Sequence, residues 1–449
     1  MRRGIKVESI SNTLHIQNPR LSVATVRAHE PVQTHGPAPV VPRESSTAWL
    51  RGSSNAPAWI MYAVLGALLS FDAGAMFIHF LRICGNDEIG HLSKLFTGFA
   101  IMVSAAAGLA YGFRKSDSYI VFVALLVHGC CGAILHEYDL DYHFWGHVYY
   151  WLIMTFGFHL GRTTRIDIQK VERWLLRLSQ LIFVGSAVGY MNLESYRSSQ
   201  QGGVYNGYSG DQLLLPLAVF ANFGHPIQAL ASFGLILLSS RRGPLAAAVL
   251  GVLVVLVAKR TRRLWVASLL TAVPLVAVGW MSMHAVRFIA HSDAFSSDSA
   301  IVRVASKWDT FLNYEEDVSA ATSGRDIEVE GAMELIWESP SDWWTGHGYG
   351  WEIASTEWHF VHLSYLNYCV TYGFIIGAVQ ILLILYHVDR THRSALCGGP
   401  ENRLLWAALT YQIAALVLSF TCAWLLISFL FWLILGLGSR RRDTVPLAH

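Results

Sequence analysis

Charge is scarce in this chain. Asp, Glu, Lys and Arg make up 14% of its 449 residues, against 53% hydrophobic ones, where a soluble domain carries roughly 25% charged residues. That deficit excludes an ordinary water-soluble enzyme, and the apolar residues come in runs of membrane-spanning length. Cysteine is scarce too. The six (Cys84, Cys130, Cys131, Cys369, Cys397 and Cys422) lie in or near apolar stretches without paired CxxC spacing. That argues for packing residues rather than a zinc or disulfide framework. Residues 1–57 lack an apolar signal segment and are polar, with scattered Arg and several Pro. They are expected to form a disordered cytoplasmic tail. No Gly-x-Gly-x-x-Gly follows a strand pattern, so no nucleotide loop is expected.

What is abundant is apolar sequence with aromatic ends. Sixteen Trp and eighteen Tyr suit two interfacial belts. Apolar spans are expected near 58–82, 94–113, 119–135, 146–161, 174–191, 243–258, 264–281, 360–386, 404–420 and 422–438. Two shorter pieces, 211–223 and 226–240, flank Gly224-His225-Pro226. Each either extends into its flanks to span, or the two form a broken or re-entrant element. The total is roughly twelve helices. The basic clusters are Arg114-Lys115, Arg162/Arg165/Lys170/Arg173, Lys259 to Arg263, Arg390/Arg393 and Arg440 to Arg442. All fall on one side of a twelve-span layout with both termini cytoplasmic, as the positive-inside rule requires. The expected organisation is therefore a tail (1–57), spans one to nine (58–281), a large external loop (282–358), and the last three spans with a short basic tail (359–449).

The chain is organised around 322–378, where the loop runs into a span and charged groups meet the membrane surface. Arg325, Glu330, Glu334, His359 and His362 gather there. Arg241 and Arg242, in LLSSRRGPL, sit between apolar runs at the external end of a helix. The plainer reading is a pair of anchors that snorkel to headgroups. Against it, Gly243-Pro244 restarts a helix whose N-terminus favours anions, and Arg is shaped for bidentate phosphate contact. His362 opens the span at 360–386, where an imidazole can act as a general base. The plainer reading is a hydrogen-bonded histidine at a helix start, and His359, one turn earlier, competes for either role. Arg325, next to Asp326, reads by itself as a solvated ion pair. TGHGYG (345–350) is expected to be a flexible turn. The run HEYDLDYHFWGH (136–147) is dense in donors, but its spacing matches no defined metal site, and no metal is expected. Asp72 and His128 lie inside spans, a functional flag without a named partner.

Taken in order, SSRRGPL, a long external loop with SGR, then GHGYG, then HLSYL opening a span, resemble the O-antigen ligase and polymerase superfamily of bacterial integral-membrane glycosyltransferases. The resemblance covers about 210–440. It implies an all-α membrane protein with a lipid-dependent (GT-C-like) glycosyltransferase fold in the bacterial inner membrane. It further implies transfer of a glycan from undecaprenyl pyrophosphate on the external leaflet, without a cofactor, to extend or ligate surface polysaccharide. Arg241 or Arg242 and Arg325 then hold the pyrophosphate, and His362 activates the acceptor hydroxyl. Implied partners are the lipid-linked oligosaccharide, an acceptor glycan or glycolipid, the bilayer and a chain-length regulator protein. No nucleic acid is expected. The family's Asn after the His is Leu363 here, and His347 fills the middle of its Gly-x-Gly. The rival expectation is a multi-pass transporter or flippase of a polyprenyl-linked glycan, which would use the break at Gly224-Pro226 and the intramembrane charges.

Overall fold

The computed structural model describes residues 117–163, 168–199, 210–239, 242–291, 302, 305–306, 309, 325–353, 361–398, 402–421, 425 and 428–439. The tail 1–57, the expected spans 58–82 and 94–113, and Asp72, Arg241 and His359 lie outside the described residues. Among the described residues the fold is all-α, with no strand. We number its helices α1 (Asp117–Leu135), α2 (Tyr142–Thr163), α3 (Ile168–Ser199), α4 (Leu214–Phe223), α5 (Pro226–Leu238), α6 (Arg242–Ala258) and α7 (Leu264–His291). After them come α8 (Arg325–Trp337), the single turn α9 (Asp342–Thr345), α10 (Ser364–Tyr372), α11 (Phe374–Cys397), α12 (Arg403–Leu418) and α13 (Phe429–Gly438).

Local chemistry explains the boundaries. Asp141 caps α2, its carboxylate accepting the N–H groups of His143 (2.9 Å) and Phe144 (3.1 Å). α4 stops at Gly224 and α5 restarts on Pro226, so 211–239 is a 3-10 turn (Asp211–Leu213) followed by two short helices of 10 and 13 residues. At about 1.5 Å per residue neither approaches the roughly 30 Å of a bilayer core. This is the broken arrangement of the two that the sequence allows. A second break was not foreseen. The run 360–386 is not one helix: α10 ends at Gly373 (φ 82°), and α11 begins at Phe374 and continues to Cys397. The turn around Trp343 packs its backbone against Gly373, and the chain bends there.

α11 is long and apolar enough to cross a membrane. Its Val379, Leu382 and Tyr386 point outward, as do Ile227 and Leu230 of α5 and Val273 of α7. The inward faces are close-packed. Gly157 and Gly161, four apart on α2, bring that helix backbone to backbone with α13: a Cβ at Gly161 would overlap the Leu433 carbonyl, and one at Gly436 the Phe158 carbonyl. Small residues at four-residue spacing allow this approach, and dispersion then holds the pair. α6 seats Gly251 against Ala414 of α12 in the same way. Cys130, Cys131, Cys369 and Cys397 are free thiols.

Candidate functional site

Glu328, in the first turn of α8, takes hold of His362 at two points. It accepts the His362 backbone N–H through Oε2 at 2.9 Å, and its two oxygens lie 2.8 and 2.9 Å from His362 Nδ1. A carboxylate can only accept here, so Nδ1 carries the ring proton and the basic lone pair belongs to Nε2. The acid side chain is 6% exposed and the imidazole 29%. The pair is therefore shielded from water on its carboxylate side and accessible on the other.

The backbone under His362 is pinned by Asn367. Its Oδ1 accepts the Val361 N–H at 2.9 Å, while its Nδ2 donates to the carbonyls of Val361 and Leu363. Ser364 N–H, the next residue on, donates to the Ser419 carbonyl at the end of α12 (3.1 Å). His362 thus projects from a short extended segment fixed on both sides. Preorganisation of this kind is what a positioned base requires.

Arg325 is the first residue of α8, three before Glu328, and so shares its helical face. Arg242 opens α6, immediately ahead of the apolar run 243–258. Burial lowers the pKa of Arg242 from its ordinary value, and the nearby Arg325 guanidinium lowers it further. Arginine keeps its charge regardless, so two guanidinium groups lie near each other, one of them a single helical turn from Glu328. Of the residues expected to act, Arg242 lies near Arg325, and Arg325 opens the helix whose Glu328 holds His362. Glu328 was not anticipated. The available signal was an acid one helical turn after Arg325 in RDIE, on the face that carries the arginine.

The other expected groups have structural partners. His128 donates from Nε2 to the Tyr372 carbonyl at 3.1 Å, which ties α1 to the end of α10. His147 Nδ1 accepts the Gly350 N–H at 2.8 Å and its ring stacks on Trp351. TGHGYG is held in place by hydrogen bonds and burial. His347, Gly348 and Tyr349 donate their N–H groups to the carbonyls of Val370 (2.8 Å), Thr371 (2.9 Å) and Gly129 (2.9 Å), and the His347 and Tyr349 side chains are buried. Two of these acceptors are carbonyls at the C-terminus of α10 with no partner within their own helix. Gly348 has φ 76°, and a Cβ there would overlap the Ala133 amide and the Gly129 carbonyl. His347 is clasped on both nitrogens, by Tyr138 OH (3.0 Å) and the Leu335 carbonyl (2.8 Å). Burial lowers its pKa, against smaller opposing effects of the Leu335 hydrogen bond, Asp342 and Glu338. Tyr138 is pushed up to about 12 by burial, then by Glu338 and Asp342.

A cavity of about 310 Å³ opens among α1, α2, α11 and α13, with apolar walls and Arg162, Gln380, His387 and Arg390 on its lining. It does not include Arg242, Arg325 or His362. No family model, curated protein or solved structure matches this chain.

Proposed function

We propose that the chain is a polytopic glycosyltransferase of the bacterial inner membrane. Its donor is a glycan on polyprenyl pyrophosphate at the external leaflet, and its product is an extended O-antigen or exopolysaccharide. The observation that carries the reading is the Glu328–His362 pair, with Arg325 on the same helix face and Arg242 close by. The order of the sequence motifs supports it, as does the outward apolar surface of α5, α7 and α11.

The chemistry runs as follows. An acceptor sugar hydroxyl attacks the anomeric carbon of the donor, and its proton passes to His362 Nε2. The anomeric C–O bond to phosphate breaks, and its electron pair leaves with the polyprenyl pyrophosphate. Arg242 and Arg325 meet the added negative charge on that diphosphate, as fixed cations in a partly buried site do best. Glu328 stabilises the imidazolium that forms and keeps Nε2 directed at the hydroxyl. Both substrates meet at a membrane surface because the donor's lipid stays in the bilayer.

The test is a purified protein in nanodiscs, given a synthetic polyprenyl-pyrophosphate oligosaccharide, with release of the lipid pyrophosphate followed over time. Wild type releases it; His362→Ala slows release by about 10²–10⁴-fold, and Arg242→Ala weakens donor use. Release that survives His362→Ala removes this base. No release, together with movement of intact glycolipid across the bilayer of sealed proteoliposomes carrying the protein, establishes the transporter instead.

A further inference from the structure

We propose that His136, Asp342 and His347, with Glu338 beside them, form a binding site for a single zinc ion that fastens the 338–350 segment to the end of α1. Three side chains of the 338–350 segment meet one from the end of α1 here. His136 lies one residue past α1, Glu338 one residue past α8, Asp342 opens α9, and His347 follows it. One ligating atom from each of His136, Asp342 and His347 lies within 4.8 Å of the others. The Asp342 carboxylate stands between the two imidazoles, with Oδ1 3.5 Å from His136 Nε2 and Oδ2 4.0 Å from His347 Nε2. Glu338 Oε2 is 3.7 Å from His347 Nε2.

These separations are informative because they fit a metal better than direct contact. They are longer than the roughly 2.7–3.2 Å of a hydrogen bond. Ligands held about 2.0–2.1 Å from a tetrahedral zinc stand roughly 3.3 Å from one another. His136, Asp342 and His347, whose ligating atoms now lie within 4.8 Å of one another, would draw together around the ion, and Glu338, 3.7 Å from His347 Nε2, would swing in as the fourth ligand. The rings of His136 and His347 stack, 4.4 Å apart and 23° from parallel, so the partly exposed His136 ring turns to bring both Nε2 atoms onto one ion; Asp342 and His347 are buried. The donor set decides the class of ion. Two imidazoles with carboxylates suit zinc, whereas magnesium and calcium take oxygen ligands.

Tyr138 supplies the outer partner such a site needs. With the ion bound, the His347 ring proton moves from Nε2 to Nδ1 and is donated to the Tyr138 oxygen, already 3.0 Å away. The Leu335 carbonyl, 2.8 Å from Nε2, gives up that hydrogen bond. No net proton is released. The site is separate from the Glu328–His362 pair and does not rest on the transferase reading.

The experiment uses full-length protein in detergent, freed of any affinity tag, stripped with EDTA and dialysed. Zinc chloride is then titrated by calorimetry, metal content is measured after desalting, and the melting temperature is read with and without the ion. We expect one zinc per chain and a raised melting temperature, with neither effect from magnesium or calcium. His136→Ala and Asp342→Asn should each weaken zinc binding by more than about 100-fold with helix content intact, and Tyr138→Phe by roughly 10–100-fold, as outer partners do. His136 is partly exposed at a helix end, so its variant decides the matter if Asp342→Asn fails to fold. Wild type that retains no zinc, or zinc held equally by wild type and His136→Ala, overturns the proposal.

Discussion

Changing Glu328 to Gln keeps the shape of the side chain and removes its charge. Two donors now converge on this carboxylate, the His362 N–H and the Nδ1–H. A glutamine has one oxygen and can accept from one of them, while its NH₂ group confronts the other. The variant therefore loses one hydrogen bond to a charged acceptor, worth about 1.5–3 kcal/mol. On the proposed mechanism the same carboxylate steadies the imidazolium when His362 takes a proton, so the loss falls on the transition state. At about 1.4 kcal/mol per tenfold, transfer should slow by roughly 10–150-fold. Arg242 and Arg325 are untouched, so the KM for donor lipid should hold. The release assay in nanodiscs measures both parameters, and the melting temperature checks the fold. A Glu328→Gln enzyme within twofold of the wild-type rate would refute the assignment of Glu328 as the group that orients the base. A loss confined to KM would move Glu328 into donor binding instead.

Three further outcomes are expected. Asn367→Ala removes the side-chain partners of the buried Val361 N–H and carbonyl, at about 1–3 kcal/mol, and should lower both the melting temperature and turnover because the same segment carries His362. Gly348→Ala forces a side chain onto a backbone at φ 76° against Ala133 and Gly129; a loss above about 2 kcal/mol by denaturant unfolding is expected, and a neutral result would show that TGHGYG is not clamped. Stability in EDTA should be flat above pH 6.5 and fall as pH drops through 6.5 toward the lowered pKa of buried His347, because the unfolded chain takes up a proton that the native ring resists. Melting curves from pH 8 to 5 test this, with His347→Gln as the comparison; the slope should flatten in that variant if it folds.

The sequence by itself determined that the chain is helical and apolar and, among the described residues, where most of the helices lie. Those properties are written in composition, in run length and in residue type, all of which are local. Helix stops at Gly224 and starts at Pro226 are local for the same reason. The break at Gly373 was invisible because its cause is a distant turn, around Trp343, pressed against that glycine. Glu328 was passed over in favour of Glu330 and Glu334, since nothing along the chain says which acid on a helix faces a histidine 34 residues away. TGHGYG looked flexible by its glycines, yet those glycines admit the backbones of α1 and α10 and make the loop rigid. The donors of the 136–147 run also sort themselves only in three dimensions: Asp141 caps a helix, His147 receives a loop amide, and His136 finds its companions beyond residue 337. Partners separated by 200 residues are chosen by packing, and only the tertiary structure decides which side chains packing leaves face to face.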